Sequence, residues 1–165
     1  MENLRLVKAV PEDLQAVCDI VQERIDWMNE KGIRQWNVTD YWGRYPVSHY
    51  AGLIDKQEMY VLKDEKDYII GTVTYFSVDD RWPEDIEGDA WYLHHLATRV
   101  AYRGAGEMIL KMTEDLARSV GKEYLRLDCA DDNTFLNGYY GRQGYELRGT
   151  CADGLYTGVC REKKL

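Results

Sequence analysis

The chain predicts an α/β fold of the mixed α+β kind: a single domain over residues 1–165, with a central mixed, mostly antiparallel sheet flanked by helices. Three observations carry this. Short β-branched and aromatic runs recur along the whole chain. Two segments, opening near Pro11 and near Gly104, switch to apolar residues three and four apart, the period of a helix. No repeat, low-complexity tract or Gly/Ser linker divides the chain. The predicted order is β-α-α-β-β-β-α-β-α-β-β.

Taken in order, residues 4–9 alternate like a first strand. Pro11-Glu12-Asp13 opens a helix with an early proline and acids in the first turn. Leu14, Val17, Val21, Ile25 and Met28 give that helix one apolar face, and Gly32 stops it. Residues 33–50 are aromatic and irregular, and a short helix is expected over 48–56. Residues 59–63 and 68–76 read as paired strands around the polar turn 64–67. An acidic loop, 79–89, leads to a strand over 91–98. The helix from Gly104 presents Ile109, Met112, Leu116 and Val120, and ends at Gly121. A strand over 124–128, a short helix over 133–142 and a hairpin of 145–147 with 155–160 complete the chain.

Composition narrows the function. The formal net charge of −8 argues against nonspecific nucleic-acid binding, which rests on neutralising phosphates. It suits a cationic partner such as an amine, although acidity also serves solubility alone. No 18-residue apolar run marks a membrane span, and the N-terminus lacks a secretory apolar region, so a cytoplasmic location is the expectation. Cys18, Cys129, Cys151 and Cys160 show no CxxC pair and no metal-ligand spacing, so buried reduced thiols and no metal are expected.

The most informative stretch runs from Tyr92 to Leu110: a strand, a turn carrying Arg103, Gly104 and Gly106, then a helix. A helix start presents unpaired N–H groups and partial positive charge, which suits a phosphorylated ligand. The dinucleotide pattern G-x-G-x-x-G fails because Ile109 stands where its third glycine belongs, and the Gly-Lys-Ser/Thr of a Walker loop is absent. Arg103-x-x-Gly106-x-Met108, after Leu96-Ala97-Thr98, instead resembles the Gln/Arg-x-x-Gly-x-Gly/Ala motif of the Gcn5-related N-acetyltransferase (GNAT) superfamily. A second stretch, with Asn133 seven residues before Tyr140 and then Gly144-Tyr145, resembles that family's downstream signature. The opening Leu4 to Ala9 followed by Pro11-Glu12-Asp13-Leu14 also looks like the family's usual start. Three positions depart from the pattern. Met108 replaces a small residue, Tyr145 a phenylalanine, and Val100 a common proline.

The resemblance implies transfer of an acetyl group from acetyl-CoA to a primary amine of a small molecule, by direct attack in a ternary complex. A protein or peptide acceptor, or a CoA-binding regulatory module without turnover, are the competing readings. The implied pyrophosphate site is the backbone of Arg103, Gly104, Ala105, Gly106, Glu107 and Met108. Leu96, Ala97 and Thr98 would pair with the pantetheine arm, and an N–H near Ala97 would polarise the thioester carbonyl. Asn133 would bond to the pantetheine or to neighbouring backbone.

Tyr140 is the implied general acid, since a phenol of pKa about 10 is protonated at neutral pH and can hand a proton to the leaving thiolate. The alternative for Tyr140 is core packing. His94 is the candidate base, acting directly or through water, and the alternative is a hydrogen-bonded structural histidine. Strand alternation expects Tyr92, His94, Leu96 and Thr98 on one face and His95 on the other. The acceptor wall is expected in the aromatic segment after the first helix. There Trp36, Tyr41 or Trp42 either hold a cation or plug the sheet edge. The chain could also pair with itself as a homodimer.

Overall fold

The computed structural model describes residues 3–165. Its strands are β1 (Arg5–Lys8), β2 (Met59–Lys63), β3 (Ile69–Phe76), β4 (Ala90–Thr98), β5 (Tyr124–Ala130), β6 (Glu146–Asp153) and β7 (Tyr156–Lys164). Its helices are α1 (Leu14–Lys31), α2 (Tyr41–Arg44), α3 (Val47–Asp55), α4 (Ala105–Ser119) and α5 (Thr134–Arg142). The predicted order therefore stands, with one short helix added. The irregular segment after Gly32 contains a 3-10 turn at Trp36–Val38 and then α2, whose N-terminus Asp40 caps by accepting from the Gly43 N–H. The final hairpin is far longer than its apolar residues suggest, because β6 is an outer-edge strand with most of its positions exposed.

All seven strands form one sheet in the order β1-β2-β3-β4-β5-β7-β6. Every neighbouring pair is antiparallel except β4 and β5. A parallel pair needs a crossover, and α4 supplies it. One face of the sheet packs Val73, Leu93, Leu125 and Leu127 against Ile109 and Leu110 of α4. The fit is close: a Cβ added at Gly71 would sit 2.7 Å from the Ile109 side chain and 3.1 Å from the Ala97 carbonyl. The other face buries Val17, Ile20 and Val21 of α1 and Leu53 of α3 over Met59 and Val61. Val17, Ile20 and Val21 are 0% exposed, and burial of each is worth roughly 1.5–3 kcal/mol.

Two irregularities place the site. β4 and β5 pair only from Ala90↔Tyr124 to Tyr92↔Arg126 and then diverge. In the same region the register against β3 slips, from Thr74↔His94 to Thr72↔Ala97, and His95 takes a left-handed φ of 51°. This is a β-bulge, which twists its strand and re-aims the side chains beyond it. The predicted alternation therefore fails after His94. His94 and His95 both turn toward the α1–α3 side, with ring centroids 6.3 Å apart, and Leu96 packs instead against the α4 core. A left-handed non-glycine residue costs about 1 kcal/mol or more, and the side-chain bonds described below hold it there.

Candidate active site

The divergence of β4 from β5 opens a cavity of about 770 Å³ that runs from the start of α4, through the gap in the sheet, to the aromatic segment. One end is walled by Arg103, Gly104, Gly106, Glu107 and Tyr139, the middle by Leu96, Ala97, Thr98 and Tyr140, and the far end by Trp36, Tyr45, His94 and Asp128. The β4 wall is braced from α1. Arg24 donates from Nε to the Thr98 carbonyl and from Nη2, at 2.6 Å, to Thr98 Oγ1. Glu23 accepts from Arg99 at 3.0 Å and from the Val100 N–H at 2.6 Å.

At the α4 end, Gly104 is the N-cap and adopts φ 82°, a left-handed turn suited to glycine. Of the six predicted amides, two are spent inside the protein: Ala105 donates to Tyr102 O at 3.2 Å and Met108 to Gly104 O at 3.1 Å. Among the described residues no acceptor takes the N–H of Arg103, Gly104, Gly106 or Glu107. Three of these four residues lie at or next to the positive end of a 15-residue helix. A Cβ on Gly106 would meet only the Tyr139 hydroxyl, at 3.7 Å, so its backbone is open to the cavity. The donor set fits the pyrophosphate of a CoA ester, while Ala105 and Met108 contribute no N–H. Met108 lies off the cavity wall, so its bulk does not intrude on the turn.

Asn133 caps α5, accepting from the Leu136 N–H at 3.0 Å, and its Nδ2 stands 3.4 Å from Gln35 Oε1. It lines the cavity, and its side chain bonds to the backbone of α5 and to Gln35, 98 positions away. Tyr140 is 8% exposed, lines the cavity, and its hydroxyl has no hydrogen-bond partner among the described residues. Burial above all, then the nearby Cys129, Tyr139 and Asp128, pushes that hydroxyl well above the ordinary phenol range, so it stays protonated.

His94 is held by a network that its own strand does not reveal. Its Nε2 lies 2.8 Å from Asp79 Oδ2, and Arg81 joins Asp79 (2.9 Å) to Asp128 (2.8 Å). Tyr156 donates to the other Asp128 oxygen at 2.7 Å. Arg81 Nη2 stands 3.3 and 3.4 Å from the two ring nitrogens of His94. Near-equal reach places the guanidinium over the ring face, because an in-plane approach would strike Cε1. Phe76 lies against the same ring at 5.0 Å. Burial alone would raise the Asp79 carboxyl pKa; hydrogen bonds from His94 and Arg81 and the Arg81 charge outweigh it and hold the group ionised well below the usual range.

Asp79 and Arg81 arrive on the loop between β3 and β4, which is pinned from β5. Arg126, 2% exposed, donates to Glu162 (2.8 Å), to the Tyr92 hydroxyl (2.8 Å) and to the Glu87 carbonyl (2.5 Å), with the Trp82 ring 5.8 Å away. Sequence reading treats this loop as an acidic run that is either solvated or attracts a polyamine or basic peptide, and it gives His94 no partner there. Its Asp79-x-Arg81 spacing is a weak signal, meaningful only once the loop folds back over β4.

His95 is satisfied elsewhere. Its Nδ1 lies 3.0 Å from the Tyr41 hydroxyl and its Nε2 3.1 Å from His49 Nε2. Tyr41 and Tyr50 share a further bond at 2.6 Å. Burial above all, then the charges of His94, His49 and Arg81, keeps the His95 ring neutral far below its ordinary pKa. With both nitrogens engaged, His95 braces the wall. Of the three aromatic residues predicted for the acceptor wall, Trp36 and Tyr41 line the cavity and stack on each other at 5.4 Å. Trp42 is not on the cavity wall. Its indole donates to Gln22 at 2.7 Å and packs on Tyr41 and Tyr50, so the edge-plugging alternative describes it. Tyr45, Tyr156 and Arg44 complete that wall from positions the sequence does not mark.

The cluster Asp79, His94 and Asp128 could in principle gather a metal ion. Arg81 already bridges its two carboxylates and supplies the compensating charge. No helix among the described residues is long and apolar enough to cross a membrane.

Residues 20–145 match the sequence profile described as the acetyltransferase (GNAT) family. The chain is 28% identical over 155 residues to an uncharacterized N-acetyltransferase, YesJ, of Bacillus subtilis strain 168, covering 90% of this chain and 84% of that one. Its fold resembles a GNAT-family acetyltransferase of Listeria monocytogenes 4b F2365, with TM-score 0.81 and 24% identity over 98% of this chain and 95% of that one. It also resembles the PaiA N-acetyltransferase of Thermoplasma acidophilum, solved in complex with coenzyme A, with TM-score 0.75 and 17% identity over 99% of both chains.

Proposed function

This chain belongs to the acetyltransferase (GNAT) family and is an acyl-CoA-dependent acetyltransferase that uses acetyl-CoA, and on that premise we propose that its acceptor is the primary amine of a small molecule. The observation that carries the proposal is the placement of His94 and Tyr140 on the walls of one cavity that crosses the sheet. The far mouth of that cavity supports a small acceptor over a peptide. Arg44 of α2 and Asp153 of β6 form an ion pair between two of its lining residues, which closes a groove that an extended chain would need.

Acetyl-CoA, when bound, supplies the acetyl group as a thioester. The free N–H groups of Arg103, Gly104, Gly106 and Glu107 hold phosphate oxygens, and the exposed Arg103 side chain adds a charge-assisted contact. The β4 edge from His94 to Thr98, released from β5, is open to pairing with an extended pantetheine arm, and an N–H near Ala97 serves as donor to the carbonyl oxygen.

An amine attacks only in its neutral form. With Asp79 ionised, His94 donates Nε2–H to it, which leaves the Nδ1 lone pair as the basic site. His94 thereby takes the proton of the incoming ammonium, directly or through one water. Tyr140, held protonated and unpaired, gives its proton to the sulfur as the thiolate leaves. The nitrogen's second proton, made acidic as the C–N bond forms, passes through solvent to the Tyr140 phenolate, and the one proton left on His94 exchanges with solvent.

The test is free-thiol release from acetyl-CoA across small primary amines, lysine peptides and peptide N-termini. Turnover with small amines is expected. Turnover confined to peptides, or CoA binding with no transfer to any acceptor, would overturn the proposal.

A further inference from the structure

The Arg44–Asp153 ion pair joins residues 109 positions apart on opposite sides of the cavity mouth. Arg44 is not placed by its own helix alone. Its guanidinium lies 5.7 Å over the Tyr45 ring, and its Nε donates to the Tyr45 hydroxyl at 3.3 Å. A cation therefore already sits between a carboxylate and an aromatic face, the two groups that recognise an alkylammonium. Its side chain is 47% exposed and Asp153 is 24% exposed, so the cation can swing to water while the carboxylate stays at the wall.

Among the described residues, the rest of the acceptor end has no free positive charge. Arg81 is held between Asp79 and Asp128, and Arg24 by Thr98. Around this end, two wall carboxylates (Asp128, Asp153) and Asp79 behind His94 and Arg81 face two wall guanidinium groups (Arg44, Arg81). An acceptor bearing a carboxylate or phosphate would meet this negative balance with no uncommitted partner, whereas a second ammonium would relieve it. The unpaired, 8% exposed Tyr140 hydroxyl marks where the reacting end of such an acceptor must lie.

We propose that Asp153 and the Tyr45 ring bind a second ammonium group of the acceptor in the place Arg44 now fills, so that the enzyme prefers α,ω-diamines over monoamines and amino acids. This rests on the amine-acetylation reading above. The diamine's distal amine stays protonated at neutral pH and exchanges with the Arg44 guanidinium, while its proximal amine is deprotonated and acetylated.

The experiment compares kcat/KM for diamines of increasing length with monoamines and ω-amino acids of the same length. A preference for the diamine of about tenfold or more is expected, the size of one charge-assisted contact. The two partners of the ion pair then separate binding from bracing. Asp153→Asn should bring the diamine-to-monoamine ratio toward one, and Arg44→Gln should raise kcat/KM for the diamine by removing its competitor. If the pair is only a strut, both variants lower kcat/KM for both amines alike, and the inference is overturned. Equal use of diamines and monoamines by the unmodified enzyme also overturns it while leaving amine acetylation standing. Transfer to peptides alone would overturn the reading beneath it as well.

Discussion

The imidazole of His94 and the carboxylate of Asp79 meet at 2.8 Å, and this contact decides which ring nitrogen keeps a lone pair. The ionised carboxylate accepts Nε2–H, which leaves Nδ1 as the acceptor. Asp79→Asn replaces that fixed polarity with an amide that can donate as well as accept. A fall in kcat is expected, smaller than that of His94→Ala, which removes the proposed base and should cost roughly 10²-fold or more. The discriminating measurement is the split between kcat and KM: both variants should lower kcat while KM for acetyl-CoA changes little.

Asp79 also links stability to acid. Its carboxyl is held below the usual range in the fold, so the unfolded chain binds the proton first as pH falls. The stabilisation is full above the unfolded value near pH 4 and is lost as pH drops through the folded value. Chemical denaturation between pH 5 and pH 2 should show a shallower acid limb for Asp79→Asn than for the unmodified protein.

His95 gives a second acid dependence in a separate window. Burial keeps its folded-state pKa below the ordinary histidine value, and His49 shifts the same way through burial and Lys56. Unfolding therefore takes up protons once pH falls below about 6.5, and stability should decline from there downward. His95→Asn tolerates the left-handed φ of 51° but cannot titrate. Its melting temperature should be lower at pH 8, where the bonds to Tyr41 and His49 are missing, and should vary less between pH 7 and pH 5.

Tyr140→Phe keeps the ring that packs against Tyr139 and Tyr145 and deletes only the unpaired hydroxyl. Thermal stability and CoA affinity should stay close to those of the unmodified enzyme, while kcat falls by about 10- to 10²-fold. Retention of full turnover would leave Tyr140 as a packing residue.

Gly106→Asp separates fold from ligand. A Cβ there meets nothing closer than 3.7 Å, and an acid in the first turn favours the helix by about 0.3–1 kcal/mol. Stability should hold or rise slightly. The same charge opposes a pyrophosphate at the free amides, so CoA affinity measured by calorimetry should fall by at least tenfold.

Sequence by itself determined what depends on near neighbours in the chain. The apolar periods of α1 and α4, the glycine at the α4 N-cap, and the spacing of Asn133 and Tyr140 are local signals, and each appears in the fold where the residues place it. Tertiary structure decided the face on which β4 shows its histidines, because a one-residue slip against β3 reverses every side chain beyond it. It also decided the partner of His94. Asp79 and Arg81 on one loop, Asp128 on β5 and Tyr156 on β7 come from three places in the chain and meet only after buried Arg126 draws the loop before β4 over the sheet. Two-residue and three-to-four-residue periods describe which way a side chain points within an element. They carry no information about register between elements or about ion pairs closed over long loops, and in this protein those two relations assemble the wall around His94.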